Sequence, residues 1–332
     1  MGRYLRAPID VERAVTADAT LQIDLPVNPL SAIKITLDSL DSAAVTAQRA
    51  TGLNILEHLT NVDVQFKGSS IITGSGQDLA LISALLGNGW PDADRTVDAA
   101  SGRSRVTLTI PFSRRVYWAK EAFPATRRGE FRLILTVDDI FGTQDLQNLH
   151  IEGIELHDAT PTQWLKYTTI SKTPTATGDH EVDLPIGNPI LGALLFGTTF
   201  PTGAAATASI RRLKLKLDNV EQYFNDTRWA SLHSDLLFRL QGFASGMSHV
   251  HEENRAAAYA ANVQTNPANT GALGSVIDGV AQYAYLDFDP LTDDSYMLDT
   301  EGRGRVNLQI NADVADAIRV LPIELIRIPG GG

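Results

Sequence analysis

Several groups of side chains in this 332-residue sequence have types and spacings that could do chemistry. His249-Val-His251-Glu252-Glu253 would put two imidazoles on one face of a strand with carboxylates beside them, a donor set that suits zinc. Its third ligand is unspecified and the segment lies in a long polar tract, so it reads as an exposed loop. Asp287-Phe-Asp289-Pro-Leu-Thr-Asp293-Asp294 sets four carboxylates within eight residues, as a calcium loop does. EF-hand spacing and a loop glycine are missing, and the segment reads as a solvated acidic turn. Asp38, Asp41, Asp138 and Asp139 offer carboxylate pairs of the kind glycosidases use, yet among 39 acidic residues such pairs arise without function. Gly242-Phe-Ala-Ser-Gly246 is out of register with a nucleophile elbow, and Gly74-Ser-Gly76 is a fragment of a dinucleotide-binding pattern. Arg211, Arg212, Lys214 and Lys216 read as one solvated strand face, and Trp229 as a core residue of a helix. No catalytic, cofactor-binding or metal residue is assigned, and no cofactor is expected.

Composition narrows the classes further. An apolar fraction of 43% and a charged fraction of 20% are those of a folded globular chain. The net charge of −11 argues against a nucleic-acid surface covering the molecule, and no sequence-specific nucleic acid is expected as partner. With no cysteine there are no disulfides, thiolate metal sites or cysteine nucleophile. The start, Met1-Gly-Arg-Tyr-Leu-Arg6, lacks the apolar run of a signal peptide, and Arg6 stands where a myristoylation signal needs Ser or Thr. The longest apolar candidate, 190–200, is glycine-broken and reads as a buried strand rather than a membrane span, so a soluble protein is expected.

The elements that would position these groups are mostly strands. Period-two alternation places them near 20–25, 31–38, 62–67, 105–112, 115–119, 130–137 and 149–156. In the second half they fall near 180–184, 190–196, 208–218, 281–288, 295–299, 303–310 and 317–327. Leu79, Ile82, Leu85 and Leu86 predict a helix stopped by Gly87. Trp229, Leu232, Leu236, Leu237 and Leu240 predict another, capped by Asp226 and stopped by Gly242. Arg3, Arg6 and Arg13 lie in a stretch with few periodic apolar residues, read as an arm.

The chain also repeats itself. Asp24-Leu-Pro26-Val-Asn28-Pro29-Leu returns as Asp183-Leu-Pro185-Ile-Gly187-Asn188-Pro189-Ile, about 160 residues on with one inserted glycine. Arg128-Gly129 and Arg303-Gly304 each open an alternating run, and Ile154-Glu155-Leu156 is matched by Ile323-Glu324-Leu325. Three matches in one order predict two copies of one fold: an all-β chain of two tandem eight-stranded jelly-roll sandwiches, each with a short helix inserted before a long loop. The expected boundaries are an N-terminal arm at 1–18, a first jelly roll at 19–160, a linker at 161–177, a second jelly roll at 178–328 and a flexible tail at 329–332.

This duplication and loop placement resemble the double jelly-roll major capsid proteins of tailless icosahedral bacteriophages, adenoviruses and related viruses. The resemblance covers nearly the whole chain and rests on architecture, not on a short motif. It implies a non-enzymatic structural protein that forms homotrimers, presents pseudo-hexagonal capsomers and builds an icosahedral virion shell. It further implies assembly in the host cytoplasm, neighbouring capsomers and penton or minor capsid proteins as partners, outward loops at 87–104 and 242–280, and an arm that could touch an internal membrane. The alternative weighed is a tandem β-sandwich that binds or hydrolyses glycans, which needs aromatics and paired carboxylates gathered in one groove.

Overall fold

The computed structural model describes residues 3–41, 55–91, 94–97, 102–141, 144–200, 207–240, 280 and 282–328. Two compact units result, one up to Lys166 together with Arg327 and Ile328, the other from Tyr167 to Ile326. Most of the two expected outward loops (all of 242–279, and parts of 87–104) and the His249–Glu253 group lie outside the described residues, as does the Gly242–Gly246 segment.

The first unit contains β1 (Arg3–Ala14), β2 (Ala19–Asp24), β3 (Leu30–Asp41), β4 (Leu59–Phe66), β5 (Ser69–Gly74) and α1 (Gly76–Leu85). It continues with β6 (Asp94–Val97), β7 (Gly102–Pro111), β8 (Phe131–Val137), β9 (Ile140–Phe141), β10 (Gln144–His157) and β11 (Gln163–Tyr167). One sheet runs β1-β10-β3-β7-β6 and the other β11-β5-β4-β8-β2. The second unit contains β12 (Ile170–Lys172), β13 (Gly178–Asp183), β14 (Ile190–Gly197), β15 (Arg212–Leu217), β16 (Val220–Glu221) and β17 (Thr227–Arg228). After these come α2 (Trp229–Leu240), β18 (Tyr283–Asp287), β19 (Val306–Ala312) and β20 (Ile318–Arg327). Its sheets run β18-β14-β20, with β12 paired to β20 on the side away from β14, and β13-β19-β15-β16.

When the eight principal strands of each unit are numbered by order of appearance, both units give 1-8-3-6 and 2-7-4-5. That is one jelly roll made twice, with α1 and α2 each inserted between the fifth and sixth principal strands. The alternation read from sequence is the burial seen: β8 and β15 bury every second side chain. In the second unit one continuous core joins both sheets, with Leu213, Leu215, Leu308 and Ile310 facing Ala193, Leu195, Leu286 and Val320. In the first, Phe123 and Phe131 stack at a centroid distance of 4.3 Å, and Phe112 packs tilted against both at 5.6 and 5.7 Å. Residues 190–197 are the buried β14.

α1 is buried from Gly76 to Ala84 and so needs no polar face. Ser75 and Asp78 cap it reciprocally, each side chain accepting the other's backbone N–H at 3.2 and 3.3 Å. It stops at Gly87, as expected, in a left-handed turn where the N–H groups of Gly87 and Asn88 donate to the carbonyls of Ala84 and Ser83. α2 buries Trp229, Leu232, His233, Leu236 and Leu240 along one stripe.

The structure corrects the sequence reading in several places. Residues 3–14 are not an arm but β1, paired with β10 from Arg3↔His157 to Ala14↔Asn148. Most side chains of this edge strand stay exposed, so backbone pairing rather than apolar burial holds it, and Pro8 is tolerated where the first bulge begins. The expected linker, 161–177, contributes β11 and β12. Residues 115–119 and 295–299 are not strands; the latter touches β14 through a single bridge, Ile190↔Leu298. Asp226 does not cap α2: β17 intervenes, and the Asp226 carboxylate accepts from Arg212 at 2.9 Å.

Candidate functional site

The repeated motifs meet each other. At the corner after β2, Pro26 and Pro29 supply no donors, so neighbouring groups hold the turn. Leu25 N–H donates to the Phe131 carbonyl at 2.9 Å and Leu156 N–H to the Pro29 carbonyl at 2.8 Å. The second unit reproduces both contacts, Leu184 to Val306 at 2.9 Å and Leu325 to Pro189 at 2.9 Å. The repeated asparagine then reaches the repeated glutamate: the Asn28 amide donates to Glu155 at 2.5 Å, and the Asn188 amide to Glu324 at 3.0 Å. Both carboxylates are buried. Burying them is costly without such donors, so each corner is locked against the last principal strand of its unit. Gly187, the inserted residue, has φ +102°, and its N–H donates to Thr300 Oγ1 at 3.0 Å.

The connection from β7 to β8 is fixed just as firmly. Glu121, fully buried, accepts from the Arg114 Nε at 2.9 Å, the Arg114 backbone N–H at 3.0 Å and the Gln163 amide at 2.5 Å. Arg114 also lies over the Trp118 ring at 5.7 Å, and Tyr4 packs edge-on against Tyr117 at 4.9 Å. Tyr4, Leu5, Tyr117 and Trp118 remain exposed. Nothing in the sequence marked this network beyond a cluster of charged and aromatic residues.

The residues singled out for chemistry have other uses. Asp38 is taken by Arg103 and Arg105, at 2.7 and 3.4 Å, and is not paired across a cleft with Asp138 or Asp139. Those two instead approach Asp18, all three ligand oxygens lying within 4.8 Å. There the Asp139 N–H donates to Asp18 at 3.1 Å and holds the Asp18 carboxyl below its usual range, while the hydrogen bond to Asp18 raises that of Asp139. In the acidic segment, Asp287 accepts from Arg239 Nε at 2.7 Å, Asp289 caps the Asp294 N–H at 3.1 Å and Asp293 caps that of Ser295 at 3.0 Å. It is a self-bonded turn fastened to the end of α2. Of the basic strand residues, Arg212 pairs with Asp226 and Lys214 with Glu221 at 2.9 Å. Gly74 and Gly76 serve packing: a Cβ on Gly76 would stand 2.4 Å from the Leu56 carbonyl. Trp229 is core.

Two further features were not anticipated. A cleft of about 400 Å³ is lined by Lys34, Thr36, Asn88, Trp90 and Thr107. Burial lowers the pKa of Lys34, whose ammonium donates to Thr109 Oγ1 at 3.1 Å. Glu57 is pushed up to about 7 by burial, and its carboxylate accepts from the Gln77 amide at 2.8 Å.

No protein-family model matches the sequence, and no curated protein matches it. Solved structures do match. The STIV major capsid protein aligns over 98% of this chain and 97% of its own, with a TM-score of 0.66 and 13% identity. The major capsid protein P2 of bacteriophage PM2 aligns over 99% and 100%, with a TM-score of 0.58 and 13% identity. The capsid of PBCV-1 aligns over 100% and 95%, with a TM-score of 0.59 and 10% identity. These are double jelly-roll proteins, and the fold is the one described above.

Proposed function

We propose that this chain is a major capsid protein, a structural subunit that forms homotrimers and builds an icosahedral virion shell. The observation that carries the reading is the end-to-end match of two fused jelly rolls to capsid proteins from three viruses, with almost nothing left over on either side. A shell subunit needs rigid polar surfaces rather than a catalytic cleft, and the locked corners and buried Arg114–Glu121 pair supply rigidity at the connections. In this reading the protein is not an enzyme, needs no cofactor, resides in the virion after assembly in the host cytoplasm, and meets other capsomers and penton or minor capsid proteins. Residues 3–14 pair with β10 in a sheet, so in this reading they are not an arm that reaches an internal membrane.

The test is the mass of the purified full-length chain by size-exclusion chromatography with light scattering, followed by negative-stain imaging of the same peak. A trimer with a hexagonal outline, or shell-like particles, is expected. A monomer at every concentration, with no assembly, would reject the proposal.

A further inference from the structure

The two units carry equivalent connections whose charges are opposite. The β7–β8 connection (112–130) and the β18–β19 connection (288–305) occupy the same place in the duplicated fold. Each starts at a phenylalanine whose N–H donates to the third principal strand, Phe112 to Ser31 at 2.9 Å and Phe288 to Leu191 at 3.0 Å. Each returns to the repeated corner, through Leu30↔Phe123 and Ile190↔Leu298. Each ends against the turn between the fourth and fifth principal strands, where Lys67 N–H donates to the Glu130 carbonyl at 2.8 Å and Asp218 N–H to that of Arg305 at 2.9 Å.

The first connection has five cations (Arg114, Arg115, Lys120, Arg127, Arg128) against Glu121 and Glu130. The second has five carboxylates (Asp289, Asp293, Asp294, Asp299, Glu301) against Arg303 and Arg305. Local pairing sharpens the contrast. Arg114 neutralises Glu121, whereas Arg115, Lys120, Arg127 and Arg128 form no ion pair among the described residues. Arg303 and Arg305 are spent on Asp218, Asp183 and Glu181, which leaves Asp293, Asp299 and Glu301 without a cation among the described residues. Backbone N–H donation from Ser295 lowers the Asp293 pKa and keeps it charged. Both connections also expose large apolar side chains, Tyr117 and Trp118 on one, Leu291 and Tyr296 on the other, each 39 to 59% accessible. Exposed aromatics rimmed by unpaired charge of one sign are the usual makings of an interface.

We propose that the β7–β8 connection of one copy docks on the β18–β19 connection of a second copy. Because the two surfaces differ, the contact is head-to-tail. A contact of that kind leaves one unused surface at each end of a chain of copies until the ring closes. The inference rests on the trimer reading and specifies which surfaces make it. Unit duplication gives it a simple origin: one jelly roll acquired the positive version of a connection and its sibling the negative version. The charges are solvent-exposed, so association weakens as salt shortens the screening length to about 8 Å at physiological ionic strength and less above it.

Full-length variants with light-scattering mass measured against concentration test this directly. The basic side is reversed with Lys120→Glu, Arg127→Glu and Arg128→Glu, the acidic side with Asp293→Lys and Glu301→Lys. Each reversal alone is expected to weaken association at least tenfold, and both in one chain to restore it to within a few-fold of wild type. Unchanged association for either reversal, or no restoration in the combined chain, overturns the contact. A wild-type trimer that tolerates each reversal made alone sinks this inference only, while a wild-type monomer also sinks the trimer reading. Should a reversal lose its folded circular-dichroism spectrum, the neutral set Asp293→Asn, Asp299→Asn and Glu301→Gln keeps the turn acceptors. Several-fold weaker association is expected there too, and unchanged mass counts against the contact.

Discussion

Glu57 sits in a short turn before β4, held by Gln77, and burial pushes its carboxyl up to about 7 from an ordinary 4.5. The folded chain therefore holds this proton more tightly than the unfolded chain. The stabilisation this confers is complete below about pH 4.5 and is lost as pH rises to about 7. Glu57→Gln keeps a polar group beside Gln77 and removes the ionisation. It should raise unfolding free energy at pH 8 by about 1–3 kcal/mol, at about 1.4 kcal/mol per pKa unit, and change little at pH 4.5. Urea denaturation at both pH values decides the matter, and equal gains at both would refute the assignment. Sequence showed nothing at this position, since a Leu-Glu-His tripeptide carries no sign of its burial. By contrast, Asn28, Glu155 and their repeats were visible as polar residues recurring inside apolar motifs. Their contact could have been guessed from that fact: a polar residue kept in both copies at matching positions needs a partner.

The strands that sequence reached are those with one buried face, such as β8, β15 and β19, where alternation is the physical consequence of the sandwich. Among those it missed are edge pieces, β1 with bulges and a proline, β12 with three residues and β16 with two, but also β5, which lies inside its sheet between β11 and β4. Edge strands are defined by backbone pairing, which leaves little trace in side-chain pattern. The corners lie between these extremes. Double proline announced a turn, and its fastening to the last principal strand came only with the fold. Asn188→Ala takes one donor from the buried Glu324 carboxylate and should lower stability by about 2 kcal/mol, the size of a hydrogen bond to a charged group. A shift in denaturant midpoint worth less than about 0.5 kcal/mol, the low end for any hydrogen bond, would show that the corner is held by other contacts.

At the scale of the whole chain, each jelly roll seats its eighth principal strand between its first and third, β10 between β1 and β3 and β20 between β12 and β14. Partners such as Arg3 and His157 are therefore far apart in sequence. Loop closure over such distances makes folding slow, on the order of milliseconds to seconds or longer for sandwich topologies. Refolding by dilution from denaturant, followed by tryptophan fluorescence, is expected to be slow and to lose material to aggregation as concentration rises. A single sub-millisecond phase without losses would contradict the topology. The same arrangement sets a schedule for synthesis. While the ribosome has not yet released residues 144–157, β3 has one edge with no strand to pair with, and the first sheet stays open although most of its residues already exist. A nascent chain stalled before that point offers bare strand edges to its neighbours on the same messenger, so the cell's holding chaperones, rather than the finished molecule's own contacts, must guard it during that interval.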